Sequence, residues 1–482
     1  MQKTTPDSPP NFALTRRSFL AGGAAFAGTA AVATGPAFAD GVKEFALTPA
    51  PATLNLVGEQ WPKTDVWCFN GRVPGPEIRA RQGDRVRIRL ANGLAQPTTV
   101  HWHGLRIPNA MDGVPDLTQA PVPPGGSFVY EFTLPDAGTF WYHPHVLSSE
   151  QVGRGLYGPL IVEEANPPRV DRDLTWVIDD WRLTKDAAIA DDFNHPMHLS
   201  HGGRTGNTIT VNGKPIDTFS VRAGERIRLR LISTANARIF SLHFKGHAPT
   251  LIAFDGQPVE PHAAPGGRVT LGSGQRVDLI LDAAGKPGEK MEIVDDYYQR
   301  SPYVFADIAY SNEAPLRESP LDATVSLNRN PLPELDLANA ETHPVRIEGG
   351  AMGRMDSAIY KGRKMGIREL SREMKIWSIN GVVAHTAKMP PMLTLKKGRT
   401  YILQFRNDTS WPHPMHLHGQ VFHLLLRNGK PVAHRPAMDT IFLEPGETVE
   451  AGIVADNPGD WLFHCHILEH HQAGMASVIR VA

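Results

Sequence analysis

Residues 461–475, WLFHCHILEHHQAGM, place one cysteine, one methionine and four histidines in fifteen positions. In an extended strand successive side chains alternate, so Trp461, Phe463 and Cys465 project to one face and Leu462, His464 and His466 to the other. A thiolate then serves one site while the imidazoles on either side of it serve a second. His470 and Met475 can return to the cysteine's side, which gives a soft set of thiolate, imidazole and thioether. With one more histidine, that set suits a blue-copper electron-transfer centre.

His464 and His466 need partners, and three other stretches supply them: His101-Trp102-His103-Gly104, His143-Pro144-His145 and His413-Pro414-Met415-His416-Leu417-His418. Each carries the HxH spacing that points two rings to one side of a strand. One such pair is ordinarily a half-buried strand with polar tips. Four of them, one wrapped around a cysteine, offer ten histidines, one cysteine and one methionine as candidate ligands and point to a multinuclear metal centre.

These four stretches resemble the copper motifs of the multicopper oxidases, in a bacterial laccase-like form, and the likeness spans nearly all of the chain beyond its leader. The resemblance implies four copper ions. His413, Cys465, His470 and the axial Met475 would hold type 1 copper. His101 and His416 would hold type 2. His103, His143 and His466 would hold one type 3 ion, and His145, His418 and His464 the other. It further implies that electrons from a small-molecule reductant enter at the type 1 site, with His413 or His470 near the surface. They would pass through Cys465 to His464 and His466, where dioxygen is reduced to water. The Met475 thioether implies a moderate type 1 potential.

The scaffold that positions these motifs is repetitive. Asn70-Gly71, Asn212-Gly213 and Asn380-Gly381 each precede a strand; in the first two copies, beginning at Gln82 and Ala223, apolar and basic residues alternate, as in a half-buried strand. A second half recurs as Pro123-Pro124-Gly125-Gly126, Leu271-Gly272-Ser273-Gly274 and Glu444-Pro445-Gly446-Glu447. Three copies of so long a unit mean three related domains. With the resemblance they become three cupredoxin-like Greek-key β-sandwiches of an all-β protein, over residues 40–168, 169–335 and 336–482. Where the outer copies carry histidine motifs, the middle one reads Phe240-Ser241-Leu242-His243-Phe244 and Asp295-Asp296-Tyr297-Tyr298. The middle domain is therefore expected to bind no copper and to act as a spacer, with the trinuclear cluster between the outer two.

Residues 1–39 read as a leader. Thr15-Arg16-Arg17-Ser18-Phe19-Leu20 precedes an Ala/Gly-rich run that ends in Ala37-Phe38-Ala39, a small-residue cleavage site. This resembles a twin-arginine signal, with the export machinery as partner and the periplasm as destination; the run is too poor in strongly apolar residues for a stable membrane anchor. Lys3, Arg16 and Arg17 against Asp7 give the leader +2, so the chain's −1 becomes −3 after cleavage. Neither sign is concentrated enough to suggest a nucleic acid. The 41 prolines and 44 glycines suit a turn-rich β protein, and 41% hydrophobic residues suffice for several cores. With Cys465 assigned to copper, Cys68 has no disulfide partner; in Val66-Trp67-Cys68-Phe69 it reads as a buried small hydrophobe.

Asp112, in Met111-Asp112-Gly113, matches the position where bacterial family members carry an acid near the cluster, and reads equally as an Asp-Gly turn. A second family acid is replaced by His471, which can also relay protons. His195, His198 and His201 form a possible accessory metal site, although Pro196 and Gly202-Gly203 favour a loop. The methionines from Met352 to Met392 read as packing. Family members that oxidise cuprous ion carry a Met-rich insertion and Asp-Met before the third motif; here Asp408-Thr409-Ser410-Trp411-Pro412 offers an aromatic instead. The substrate expectation is therefore a phenol or amine, with cuprous ion as the alternative. A copper nitrite reductase would lack the paired histidines around Cys465. A copper-free scaffold of the same fold would have lost the motifs.

Overall fold

Each Asn-Gly repeat makes the same turn. Asn70, Asn212 and Asn380 have φ of 53°, 53° and 50°, and the glycines after them 73°, 76° and 72°; two successive positive φ values make a hairpin turn whose twist matches that of strands. Each Asn side chain then ties the turn to a neighbouring segment in the same way. Asn70 accepts from Thr48 N–H and donates to the Ala46 carbonyl. Asn212 does so with Val177 and Thr175, and Asn380 with Arg346 and Pro344. The repeat is therefore a structural unit three times over.

In this computed structural model, residues 41–317, 321 and 325–482 are described. The twin-arginine and cleavage motifs lie outside them. The described chain is 45% strand and 7% helix. Its strands group into three two-sheet sandwiches. The first packs Val42–Leu47, Arg85–Ala91 and Ser127–Thr133 against a four-stranded sheet that ends in Gly138–His143 and His101–His103. The second has six strands, among them Arg226–Ser233 and Arg276–Asp282, facing five. The third has a seven-stranded sheet and a five-stranded one in which His413–Leu417 lies beside Gly459–Cys465. Each sandwich closes over its own apolar core. No helix among the described residues is long and apolar enough to cross a membrane.

The alternation expected of the repeated strands holds in the first copy, where Arg85–Ala91 shows buried apolar and more exposed basic positions in turn. It fails in the second. All eight residues of Arg226–Ser233 are buried, because the polar face of that strand is covered by the first sandwich. Arg228 pairs with Glu164 and Asp278, each at 2.7 Å, and Arg230 with Asp173 at 2.7 Å and the Thr139 hydroxyl at 3.0 Å. Arginines tolerate such burial only when every charge is paired. Cys68 is free and fully buried, as expected, and burial pushes its thiol up.

Candidate metal centres

Backbone pairing brings the motifs together two by two. His101 lies opposite His143, and Met415 and His416 lie opposite Cys465 and His464. Trp461, Phe463 and Cys465 point into the core of the third sandwich, while Leu462 packs with Val114 and Ala384 on the other side, so the predicted alternation at Cys465 is realised.

On the cysteine's side, Cys465 Sγ lies 3.5 Å from His413 Nδ1 and 3.7 Å from His470 Nδ1, and those two nitrogens are 3.1 Å apart. Three donor atoms converge on one point, as ligands of a single ion would. The outer nitrogens are held elsewhere: His413 Nε2 by the Thr409 hydroxyl at 2.8 Å, and His470 Nε2, donating, by the His201 carbonyl at 2.5 Å. Met475 is fully buried beside them, its N–H donating to the His470 carbonyl at 2.9 Å.

On the opposite side the same pattern recurs. His103 Nε2 donates to Asp439 at 3.0 Å, His143 Nδ1 to the Pro144 carbonyl at 3.1 Å, and His466 Nδ1 meets the Ser273 hydroxyl at 3.0 Å. Their inner nitrogens, together with His145 Nε2, are buried with no hydrogen-bond partner. His418 Nδ1 donates to Asp112 at 2.9 Å and His464 Nδ1 to the Cys465 carbonyl at 2.8 Å, which leaves their Nε2 atoms facing each other at 3.1 Å. His101 and His416 donate through Nδ1 to the Asp112 and Asp439 carbonyls, and their Nε2 atoms face each other at 3.5 Å. An outer N–H that is spoken for fixes the tautomer and turns a lone pair inward. Burial and the crowding of other imidazoles hold His103, His143, His145, His418, His464 and His466 far below the ordinary histidine range, so they are neutral, as ligands must be. His103/His143/His466, His145/His418/His464 and His413/Cys465/His470 each form a set compact enough for one ion.

Family models described as multicopper oxidase match residues 52–167, 172–317 and 363–482. The chain belongs to the multicopper oxidase family. It is similar to a multi-copper oxidase structure from Pseudomonas thermotolerans, at 35% identity and a TM-score of 0.80, covering 92% of this chain and 99% of the other. It is 31% identical to multicopper oxidase MmcO of Mycobacterium tuberculosis, over 89% of this chain and 85% of that protein. It is 30% identical to laccase-1 of Fomitopsis schrenkii, over 89% and 84%. Multicopper oxidases are oxygen-dependent oxidoreductases that bind four coppers, and buried imidazole nitrogens without a hydrogen-bond partner are the donors such ions require.

Around the oxidase's ligands, Asp112 proves to be more than a turn residue. It is buried, its carboxylate lies 3.1 Å from His101 Nδ1 and 2.9 Å from His418 Nδ1, and so it spans two of the proposed centres. The following glycine permits this approach: with φ of 80°, a Cβ at Gly113 would sit 1.8 Å from the Val100 carbonyl oxygen. Asp112→Asn, which keeps the volume and loses the charge, should lower turnover or copper affinity about 10–100-fold. Turnover and copper per chain within a factor of two of wild type would remove Asp112 from the working site.

The His471 ring lies tilted against His464 at 4.4 Å and lines a cavity of about 290 Å³ that also touches Lys375, the buried His145 and the exposed His385 and Asp116. Three sequence expectations need correction. His413 and His470 are both 0% exposed; Trp377 packs on both rings, and the His201 carbonyl holds His470 Nε2. Residues 196–200 form a short helix rather than a loop, capped by the His195 ring. His198 bonds Asp192, which Arg182 and Arg204 already neutralise, and His201 Nδ1 bonds Ser200, so these histidines have structural partners. Third, the middle sandwich does more than space the outer two: Ser273 bonds His466, and Arg276 bonds Asp439, which lies against His103 and His416. Sequence reading missed these two, along with Asp439 and Thr409. The only sequence signal was an Asp set in the apolar run Ala437-Met438-Asp439-Thr440-Ile441.

Proposed function

We propose that this oxidase is laccase-like: it takes single electrons from phenols or aromatic amines and delivers them to dioxygen. Bound copper supplies the one-electron redox steps and the reduction of dioxygen to water. The chain's own residues do the rest. His413, Cys465, His470 and Met475 would hold type 1 copper, His101 and His416 type 2, and the two histidine triads type 3. Cys465 joins His464 and His466 through the backbone, so the thiolate site and the histidine sites are one residue apart. Burial excludes bulk water, and Asp112 and His471 stand beside the cluster where protons are needed.

The observation that carries the substrate reading is Trp411. Its ring is half-buried, packs edge-on at 5.4 Å against His201, whose carbonyl holds His470 Nε2, and is fixed by an N–H bond to the Ala351 carbonyl at 3.0 Å. A fixed aromatic plane one residue removed from His470 is a stacking surface for another ring. Oxygen uptake by the copper-loaded enzyme with a phenol and, separately, with cuprous ion tests this. Uptake with cuprous ion alone would end the laccase reading. Trp411→Ala should raise KM for phenols about 3–10-fold with the blue absorption intact; an unchanged KM would place the phenol elsewhere.

Cuprous-ion oxidation is the second reading, favoured by two exposed thioethers. Met197 and Met352 are 53% and 73% exposed, and the Met352 carbonyl accepts from Ser410 beside Trp411. Loss of cuprous oxidation in the Met197→Leu, Met352→Leu double variant, with phenol oxidation retained, would show two substrates at one port. We also propose domain boundaries at 168/169 and 335/336, supported by the three sandwiches, and twin-arginine export to the periplasm, supported by Arg16-Arg17 and Ala37-Phe38-Ala39. Accumulation of the precursor on replacing Arg16 and Arg17 by Lys tests the export route.

A further inference from the structure

The middle sandwich contributes none of the histidines assigned above, yet one of its side chains ends against His466 and another against Asp439, the carboxylate beside His103 and His416. Arg276, fully buried at the start of Arg276–Asp282, grips Asp439 with both terminal nitrogens, Nη1 to Oδ1 at 2.9 Å and Nη2 to Oδ2 at 2.5 Å. The guanidinium is itself held by the carbonyls of Thr139, Gly274 and Asp255 at 3.2, 3.1 and 3.0 Å. Asp439 Oδ1 lies 3.0 Å from His103 Nε2 and 3.2 Å from His416 Nδ1. Three residues before Arg276, the Ser273 hydroxyl donates to the Ala235 carbonyl at 2.5 Å and accepts from His466 Nδ1 at 3.0 Å. Gly274 makes room for this: a Cβ there would lie 2.7 Å from the His466 ring.

A bidentate guanidinium fixes the plane of the carboxylate it holds, and a carboxylate so fixed fixes the rings that donate to it. We propose that Ser273 and Arg276 are positioning residues through which the middle sandwich orients His466, His103 and His416 for copper. This rests on the ligand assignment above. It gives the middle domain a part in the centres despite its lack of ligands, and makes the trinuclear site a product of all three sandwiches.

The test uses the full-length, copper-loaded protein as wild type, Ser273→Ala, Arg276→Met and Arg276→Lys, dialysed against graded chelator. Copper per chain, blue absorption and the type 2 electron paramagnetic resonance signal are read together, with melting of the copper-free forms. Ser273→Ala and Arg276→Met should lose trinuclear copper at about 10–100-fold lower chelator while the blue band survives. Arg276→Lys, which keeps the charge without the fork, should recover only part of the loss. Copper-free Ser273→Ala should melt within about 4 °C of wild type, so it carries the test even if Arg276→Met fails to fold. If wild type retains its coppers and Ser273→Ala and an Arg276→Met that folds retain theirs equally, with the same resonance signal, the positioning role is overturned and the ligand assignment stands. Full recovery by Arg276→Lys would overturn the orienting role of the fork. A wild type that takes up no trinuclear copper would overturn the ligand assignment itself, which is a distinguishable result.

Discussion

Cys465→Ser should bleach the protein and stop it. The serine is nearly the same size and the site is fully buried, so the fold should survive; what disappears is the only thiolate within reach of His413 and His470. A hard hydroxyl is a poor ligand for a centre built from soft donors. Of the four coppers the family binds, the type 1 ion should be lost or become colourless, while those on the histidine triads remain, because none of their nitrogens belongs to Cys465. Oxygen uptake with a phenol should fall by well over 100-fold, beyond the roughly 10–100-fold typical of changes to a ligand's supporting partners. Visible absorption, copper per chain and oxygen uptake on one preparation decide it. A variant that stays blue would mean that Cys465 is not the type 1 ligand, and the assignment of the whole 461–475 stretch would go with it.

Removal of copper should produce the second large effect, on stability. The proposed trinuclear ligands come from both outer sandwiches, four histidines from His101 to His145 and four from His416 to His466. Without metal, the buried inner nitrogens of His103, His143, His145 and His466 have no partner, and unsatisfied buried polar atoms cost about 1–3 kcal/mol each. An ion that binds only the folded state stabilises it by RT ln(1 + [L]/Kd), about 4 kcal/mol per site at a thousand-fold excess over Kd. The copper-free protein should therefore melt at least about 10 °C below the loaded one, and its Tm should climb with added copper. Calorimetry of chelated and reconstituted full-length protein measures this. Coincident melting curves would mean that the ions do not join the sandwiches.

The candidate ligands were legible because their chemistry is written in local spacing. A strand alternates whatever surrounds it, so HCH at 464–466 had to send a thiol one way and two imidazoles the other. The Asn-Gly repeats were legible for a related reason: positive φ at two successive residues selects those types. Asp112 was half legible, since Asp-Gly marks a turn but not what the carboxylate faces. Arg228 misled, because a strand alternating between basic and apolar residues does not reveal that another sandwich will cover its basic face.

What only the tertiary structure decided has long-range contact in common. Asp439 meets His103 336 positions away, Arg276 meets Asp439 163 positions away, and the carbonyl that holds His470 Nε2 belongs to His201, 269 positions away. The sequence by itself indicated the metal-binding donor set and the three-fold repeat, because donor types and short periodicities act within one strand or turn, and the resemblance carried by those motifs implied the all-β class. The tertiary structure determined which imidazole nitrogens are left without a hydrogen-bond partner, how His413 and His470 are buried and which middle-domain side chains meet Asp439 and His466. Tautomer, cover and orientation are fixed by hydrogen bonds between distant segments, and no local pattern encodes which distant segment will arrive.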